Sequence, residues 1–221
     1  MPGLFITLEG IEGSGKTTQA ELLARSLESE GLAVLRTREP GGTELAEKIR
    51  SLVLHVEKEP VHPETELLLF LAARAQHVRE RVGPAIKRGE IVICDRFSDA
   101  TRAYQGGGRR VGERELAQFD AWATGGLAPD RTYLIDLPVS EGLARAKHRQ
   151  GLRGIDRIER EGAGFLGAVR EAYLRIAKEE PGRIFVLDGL LATDALAKTI
   201  LNDVKSMLSS RQSPTQKGSP S

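Results

Sequence analysis

Residues 10–17 read Gly10-Ile11-Glu12-Gly13-Ser14-Gly15-Lys16-Thr17, a glycine separated by four residues from Gly-Lys-Thr, and that spacing describes a loop that wraps phosphate oxygens. The glycines let the backbone close on an anion, while successive N–H groups and the N-terminus of a following helix supply positive potential. Lys16 would then reach the β- and γ-phosphates of a nucleoside triphosphate, the Thr17 hydroxyl suits a magnesium ion, and Thr18 extends the set into the helix. Farther along, Ile91-Val92-Ile93-Cys94-Asp95-Arg96-Phe97 places an acid and an arginine at the end of an apolar run. Asp95 is suited to the magnesium shell, and Arg96 to a bidentate clamp on a second phosphate.

Such groups work only if strands and helices hold them at one edge. Five short Ile-, Val- and Leu-rich runs, Leu4 to Leu8, Ala33 to Leu35, Ile91 to Cys94, Thr132 to Ile135 and Ile184 to Leu187, read as strands buried on both faces. Helical spacing intervenes: Ala20, Leu23, Ala24 and Leu27 share one face, and Phe165, Val169, Ala172 and Ile176 another. The alternation predicts an α/β fold with a parallel sheet covered by helices. From Glu64 to Arg88, Leu67, Leu71, Ala75, Val78, Val82 and Ile86 recur at steps of three or four, with Gly83-Pro84 expected to kink or end the helix early. Phe70, Arg74 and His77 form a second stripe beside that one.

The 221 residues suffice for one core, 32 Lys+Arg balance 31 Asp+Glu, and hydrophobic residues make up 40%. No overall field draws the chain to nucleic acid or an anionic membrane, so an anion site must be local. The start, Met-Pro-Gly-Leu-Phe-Ile-Thr-Leu-Glu, carries no basic or long apolar segment, which predicts a cytoplasmic protein without membrane contact. Cys94, inside an apolar run, reads as a buried hydrophobe. A guanine-reading Asn-Lys-x-Asp motif is excluded because the single asparagine is Asn202. Residues 1–208 are expected to form one compact domain, and 209–221, without apolar side chains, a disordered tail.

Between two helical segments, residues 147–162 are dense in arginine and broken by glycine, the composition of a mobile basic lid. Arg149, Arg153 and Arg157 recur every four residues, so a short helix there would turn three guanidiniums toward triphosphate oxygens.

Taken in order, Glu9 to Thr18, Arg38-Glu39-Pro40-Gly41-Gly42-Thr43, Phe70 to His77, Asp95-Arg96-Phe97, Ala103-Tyr104-Gln105-Gly106-Gly107-Gly108 and Asp156-Arg157-Ile158-Glu159 resemble the thymidylate kinase family, in its bacterial branch. The resemblance implies a P-loop nucleoside monophosphate kinase fold with a mainly five-stranded parallel sheet, ATP and dTMP as substrates, Mg2+ with the ATP, and a homodimer. It implies transfer of the γ-phosphoryl group to dTMP, giving dTDP and ADP on the route to dTTP for DNA synthesis. It further implies that Phe70 stacks on thymine and Arg74 donates to the base. Thr101, Tyr104 and Gln105 would complete the nucleoside pocket, with the Tyr104 ring crowding the 2′ position. Glu12 would accept from the 3′-hydroxyl, Arg38 would lie near the acceptor phosphate, and Pro40 would shape that loop.

Because the phosphate loop carries Glu12 and no arginine, the resemblance assigns the catalytic arginine to the lid. Arg153 is the candidate, with Arg149 or Arg157 as substitutes, beside Lys16 and Arg96. A phosphate acceptor is already anionic, so no general base is assigned. Two alternatives stand at this point: a kinase for another nucleoside monophosphate on the same scaffold, and a non-catalytic nucleotide-binding module.

Overall fold

The computed structural model of the chain describes residues 3–56, 59–150, 157–158 and 161–212. Its centre is a parallel sheet in the order β2-β3-β1-β4-β5, formed by β1 (Leu4–Glu9), β2 (Val34–Arg38), β3 (Ile91–Asp95), β4 (Arg131–Asp136) and β5 (Ile184–Asp188). Each matches one of the apolar runs to within a few residues. Leu4 pairs with Ile91 and Val34 with Ile91 across the sheet, so β1, β2 and β3 end level at Leu8, Arg38 and Asp95.

Period-two alternation along β1 divides the core. Leu4, Ile6 and Leu8 pack with Ala20, Leu23, Ala24 and Leu27 of α1 (Lys16–Ser29) and with Leu196, Ile200 and Val204 of α9 (Thr193–Gln212). Phe5 faces the opposite layer. That layer holds α2 (Glu44–Leu54), α3 (Pro63–His77), α4 (Gly83–Lys87), α5 (Ser98–Thr101), α6 (Glu113–Thr124), α7 (Val139–Gln150) and α8 (Ala163–Glu179). On α8 the inward stripe is Val169, Ala172, Tyr173 and Ile176, with Phe165 partly buried.

Two π-helical segments interrupt the regular helices. The predicted kink at Gly83-Pro84 is met by the segment Val78–Val82 between α3 and α4, where the Gly83 N–H donates to the Val78 carbonyl. The wider turn accommodates the missing Pro84 donor, so helical chain continues to Lys87 instead of stopping early. The second segment, Arg102–Gly108, follows α5, and Arg109 N–H donates to the Tyr104 carbonyl. Thr101, Tyr104 and Gln105 are all buried there.

The C-terminal helix also runs longer than expected. Ser209 to Gln212, expected in the tail, are helical: Ser209 and Ser210 hydroxyls donate to the Lys205 and Ser206 carbonyls, and Arg211 bonds the Gly3 carbonyl at 3.0 Å and Asp130 at 2.5 Å. Apolar anchors are therefore unnecessary there, because hydrogen bonds hold the last turn. Residues 213–221 lie outside the described residues.

Close approach of α8 to the Arg102–Gly108 segment depends on glycine. A Cβ on Gly107 would stand 2.4 Å from the Ala172 Cβ and 3.2 Å from the Ala168 carbonyl oxygen. Gly107→Ala should lower the unfolding free energy by about 1–3 kcal/mol through overpacking. The urea midpoint at constant slope reads this directly; an unmoved midpoint would mean that α8 shifts aside without loss.

Candidate active site

The loop from β1 into α1 is built on left-handed glycines. Gly10, Gly13 and Gly15 have φ of 142°, 77° and 95°. At Gly13 a side chain is doubly excluded, since a Cβ would meet the Gly142 carbonyl oxygen at 2.3 Å. Lys16 is buried, and its ammonium crosses the loop to the Ile11 carbonyl at 2.8 Å. Burial, followed by the Arg96 charge, lowers its pKa to about 8 against the opposing pull of Glu12, Asp95 and Glu9. Thr17 Oγ1 donates to Asp95 Oδ2 at 2.5 Å, which joins the hydroxyl predicted from the loop to the acid predicted from the third strand.

Beside this loop, the chain leaves β3 through Arg96, whose φ of 71° is a left-handed conformation rare for a side chain other than Gly, Asn or Asp. That turn directs its guanidinium inward. Nη1 donates to the Gly10 carbonyl at 3.1 Å and to Tyr173 OH at 3.3 Å, while Nη2 reaches Tyr104 OH at 3.1 Å and Glu12 Oε2 at 3.3 Å. The group also lies 4.8 Å from the Tyr104 ring centroid.

Glu9, the last residue of β1, is fully buried under the same turn. It accepts from the Phe97 backbone N–H and from Tyr173 OH, each at 2.7 Å. Burial, with Asp99 adding to it, raises its pKa to about 8, and the Arg96 charge and both hydrogen bonds pull the other way. Neither Glu9 nor Tyr173 was assigned a role from sequence. Two signals were available: an acid closing an otherwise apolar strand, and a tyrosine on the inward stripe of α8.

A cavity of about 460 Å³ opens next to Arg96, a size suited to a mononucleotide. Eight predicted acceptor-site residues line it together: Glu12, Pro40, Phe70, Arg74, Arg96, Thr101, Tyr104 and Gln105. Glu39 and Ile158, which lie within two of the quoted motifs, also line it, as do Arg50 and Leu54 of α2, a helix that carries no motif to mark them in the sequence. Arg50 Nη1 donates to the Pro40 carbonyl at 3.0 Å. Arg38 does not line the cavity. Its guanidinium points outward to Glu47 Oε2 at 2.9 Å, because Arg38 falls on the outward side of β2 and the next residue, Glu39 just beyond the strand, turns inward.

Arg74 is almost wholly enclosed. Its Nε donates to Glu39 Oε2 at 2.7 Å, Nη1 to Asp120 Oδ1 at 2.5 Å and Nη2 to the Phe97 carbonyl at 3.0 Å. Glu39 precedes the cis peptide to Pro40 and binds His77 Nδ1 at 2.9 Å, while His77 Nε2 lies 2.7 Å from Thr37 Oγ1. A carboxylate only accepts, so Nδ1 carries the proton. Arg74 therefore sits on a fixed base, with one N–H on each terminal nitrogen left over.

Of the three lid arginines, only the side chain of Arg157 lies among the described residues. Arg153 and the side chain of Arg149 lie outside the described residues. Arg157 is directed to the α2–α3 side, where its guanidinium pairs with Glu66 and its Nε donates to the Val53 carbonyl at 3.1 Å.

Burial alone would raise the Glu39 pKa, but the Arg74 charge and the His77 hydrogen bond hold it below its ordinary 4.5. Its contribution to stability is thus present above pH 4.5 and is lost as pH falls through the depressed value. Glu39→Gln should be less stable than the parent at pH 7 and show a shallower loss of unfolding free energy between about pH 5 and pH 3; parallel pH profiles would contradict this.

Residues 8–200 match the model of the thymidylate kinase family, described as "Thymidylate kinase". A thymidylate kinase of Pseudomonas fluorescens is 51% identical over 208 residues, covering 91% of this chain and 98% of that protein. One from Pseudomonas savastanoi pv. phaseolicola is 53% identical over 188 residues, covering 85% and 88%. The crystal structure of thymidylate kinase from Ehrlichia chaffeensis superposes with a TM-score of 0.72 at 33% identity, covering 94% of this chain and 99% of that one. The match begins within β1 and spans the phosphate loop, the Arg96 turn and the cavity, so the whole site falls inside the shared region: this chain belongs to the thymidylate kinase family.

Proposed function

We propose that this chain transfers the γ-phosphoryl group of ATP to dTMP, and that the groups gathered around Arg96 carry out the transfer. One observation carries the reading: Glu12 of the phosphate loop and Arg96, which donates to the Gly10 carbonyl of that loop and reaches Glu12, both line the nucleotide-sized cavity. A donor triphosphate on the loop and an acceptor in the cavity would thus meet at a shared guanidinium.

Phosphoryl transfer depends on alignment and on neutralising charge over the equatorial oxygens, with little covalent chemistry asked of the protein. In this reading the loop N–H groups and Lys16 hold the donor phosphates. Arg96, preorganised by its backbone and by two tyrosine hydroxyls, meets the acceptor phosphate without moving at the moment of reaction. Phe70 and Arg74 supply a ring face and a donor fork to thymine, and the Tyr104 ring favours deoxyribose by occupying space. Glu12 accepts from the sugar 3′-hydroxyl. A lid arginine, Arg153 in our assignment, completes the neutralisation.

Magnesium fits the donor set, since a hydroxyl and one carboxylate suffice for an ion that shares its sphere with phosphates and water. Thr17 and Asp95 would hold it, and when bound it supplies charge neutralisation across the β- and γ-phosphates.

We also assign a homodimer and a cytoplasmic location. Trp122 of α6 is 76% exposed, and Leu45, Leu52, Leu68 and Phe119 are also exposed on the packed set α2, α3 and α6, an apolar surface that a second copy would cover. No helix among the described residues is long and apolar enough to cross a membrane. Light scattering should return twice the mass of the chain, and a monomer would remove the dimer from this account.

The decisive assay supplies ATP with dTMP, dUMP, UMP, CMP or AMP. Magnesium-dependent dTDP formation should exceed product from the others, and a faster rate with CMP or AMP would reject the acceptor assignment. Arg153→Ala should cut turnover more than about tenfold with little change in the KM for ATP; unchanged turnover would move the catalytic role to another arginine.

A further inference from the structure

Glu66 of α3 does not line the cavity, yet it is 1% exposed and receives donors from two distant parts of the chain. Gln105 Nε2 donates to Oε1 at 2.8 Å, Arg109 Nε and Nη2 reach Oε1 and Oε2 at 3.2 Å each, and Arg157 Nη2 binds Oε2. Arg109 is in turn fixed by Glu161 at 2.6 Å and by the Phe165 ring, 4.6 Å from its guanidinium carbon. Arg157 is fixed through its backbone N–H on the Leu54 carbonyl at 3.1 Å. Burial alone would raise the Glu66 pKa, but the hydrogen bonds from Arg109, Gln105 and Arg157 hold the carboxyl below its ordinary value. With two guanidiniums on it, the group is an anion and offers lone pairs only.

That one-sidedness dictates the orientation of a neighbour. Gln105 is 2% exposed and lines the nucleotide cavity. An amide side chain can present either its NH2 or its carbonyl in a given direction, and its hydrogen-bond partners decide which. Since Glu66 accepts and cannot donate, the Gln105 NH2 must face it, and the carbonyl oxygen is the end left for the cavity. A carbonyl there complements a ring N–H. Thymine and uracil carry one at N3; cytosine has a lone pair at N3, and two opposed lone pairs in a desolvated site are unfavourable.

We propose that Glu66 is a positioning residue for base selection: it fixes the Gln105 amide with its carbonyl toward the acceptor base, and so favours pyrimidines bearing an N3–H over cytosine. The inference rests on the dTMP-kinase reading of the cavity. It differs from a purely structural role, in which the cluster only ties α3 to the Arg102–Gly108 segment and to residues 157–158. A structural tie would slow every acceptor alike.

The test compares kcat/KM for dTMP and dCMP, with magnesium and ATP, in the full chain and in Glu66→Gln, Glu66→Asp and Gln105→Leu. Glutamine at 66 can donate to Gln105, which allows the amide to turn over. In Glu66→Gln the dTMP-to-dCMP ratio should therefore fall at least about tenfold, the worth of roughly one hydrogen bond to a buried group. The change should appear mainly in the KM for dTMP, with the KM for ATP unmoved. Glu66→Asp keeps an acceptor-only group and should retain the ratio even if rates fall. Gln105→Leu should lose the ratio as Glu66→Gln does, and adding Glu66→Gln to it should change the ratio no further.

Equal slowing of both acceptors in Glu66→Gln would overturn the proposal. So would an unchanged ratio in Gln105→Leu, which leaves both arginines on Glu66 and reads out even if Glu66→Gln fails to fold. Absence of dTDP formation by the parent chain would instead overturn the underlying reading, so the two failures are distinguishable.

Discussion

A single guanidinium, held by a backbone conformation rare for arginine, joins the two halves of this site. Arg96 leaves β3 at φ 71° and touches the Gly10 carbonyl, Glu12, Tyr104 OH and Tyr173 OH. Those groups come from the phosphate loop, the π-helical segment after α5, and α8, so one side chain sets the distance between them. Left-handed backbone costs of order 1–3 kcal/mol at such a residue, and here it is over-determined from below. Glu9 accepts the next backbone N–H, and Tyr173 binds both Glu9 and Arg96. Placed at the level carboxyl ends of β1 and β3, the turn lies where parallel sheets gather ligands.

Buried charge recurs in and behind the cavity wall, each charge held by partners of opposite sign or by carbonyls. Removing one partner from a buried ion pair leaves the other desolvated and costs about 3–5 kcal/mol, which makes such clusters rigid. Arg74 is matched by Glu39, Asp120 and a carbonyl; Glu39 is matched by Arg74 and His77; Glu66 is matched by Gln105, Arg109 and Arg157. Hydrophobic replacements could be as stable, but they would not dictate the direction of a donor or acceptor. The clusters therefore serve orientation more than stability. They hold the Arg74 fork and the Gln105 amide in one arrangement before a nucleotide arrives, and preorganisation of that kind is what lets binding interactions be spent on discrimination.

Much of this was legible without coordinates. Five apolar runs became five strands of a parallel sheet, because strands buried on both faces must be apolar at nearly every position. The phosphate loop was legible because an anion-wrapping turn needs glycine at fixed intervals and a lysine at its end. Phe70 and Arg74 were placed on one side of α3 by helical period alone. Where the reading went astray, its signal was composition without partners. The polar stretch after residue 208 looked unable to hold structure, yet Ser209, Ser210 and Arg211 find carbonyls and an acid. Arg157 shared the four-residue spacing of a basic lid, yet its guanidinium meets Glu66, ninety-one positions away in the chain.

The sequence by itself determined which reactive and polar groups are at hand and the edge of the sheet where they gather: a glycine-rich loop ending in lysine, an acid and an arginine at a strand end, an aromatic ring and a guanidinium one helical turn apart. Those follow from local periodicity and from residue types whose backbone requirements are strict. Tertiary structure alone decided which groups are free to act and which are occupied with one another. Arg74 rests on Glu39 and Asp120, and Gln105 is turned by Glu66. Hydrogen bonds between residues tens of positions apart depend on strand order and helix packing, and a linear pattern carries no record of which donor will meet which acceptor.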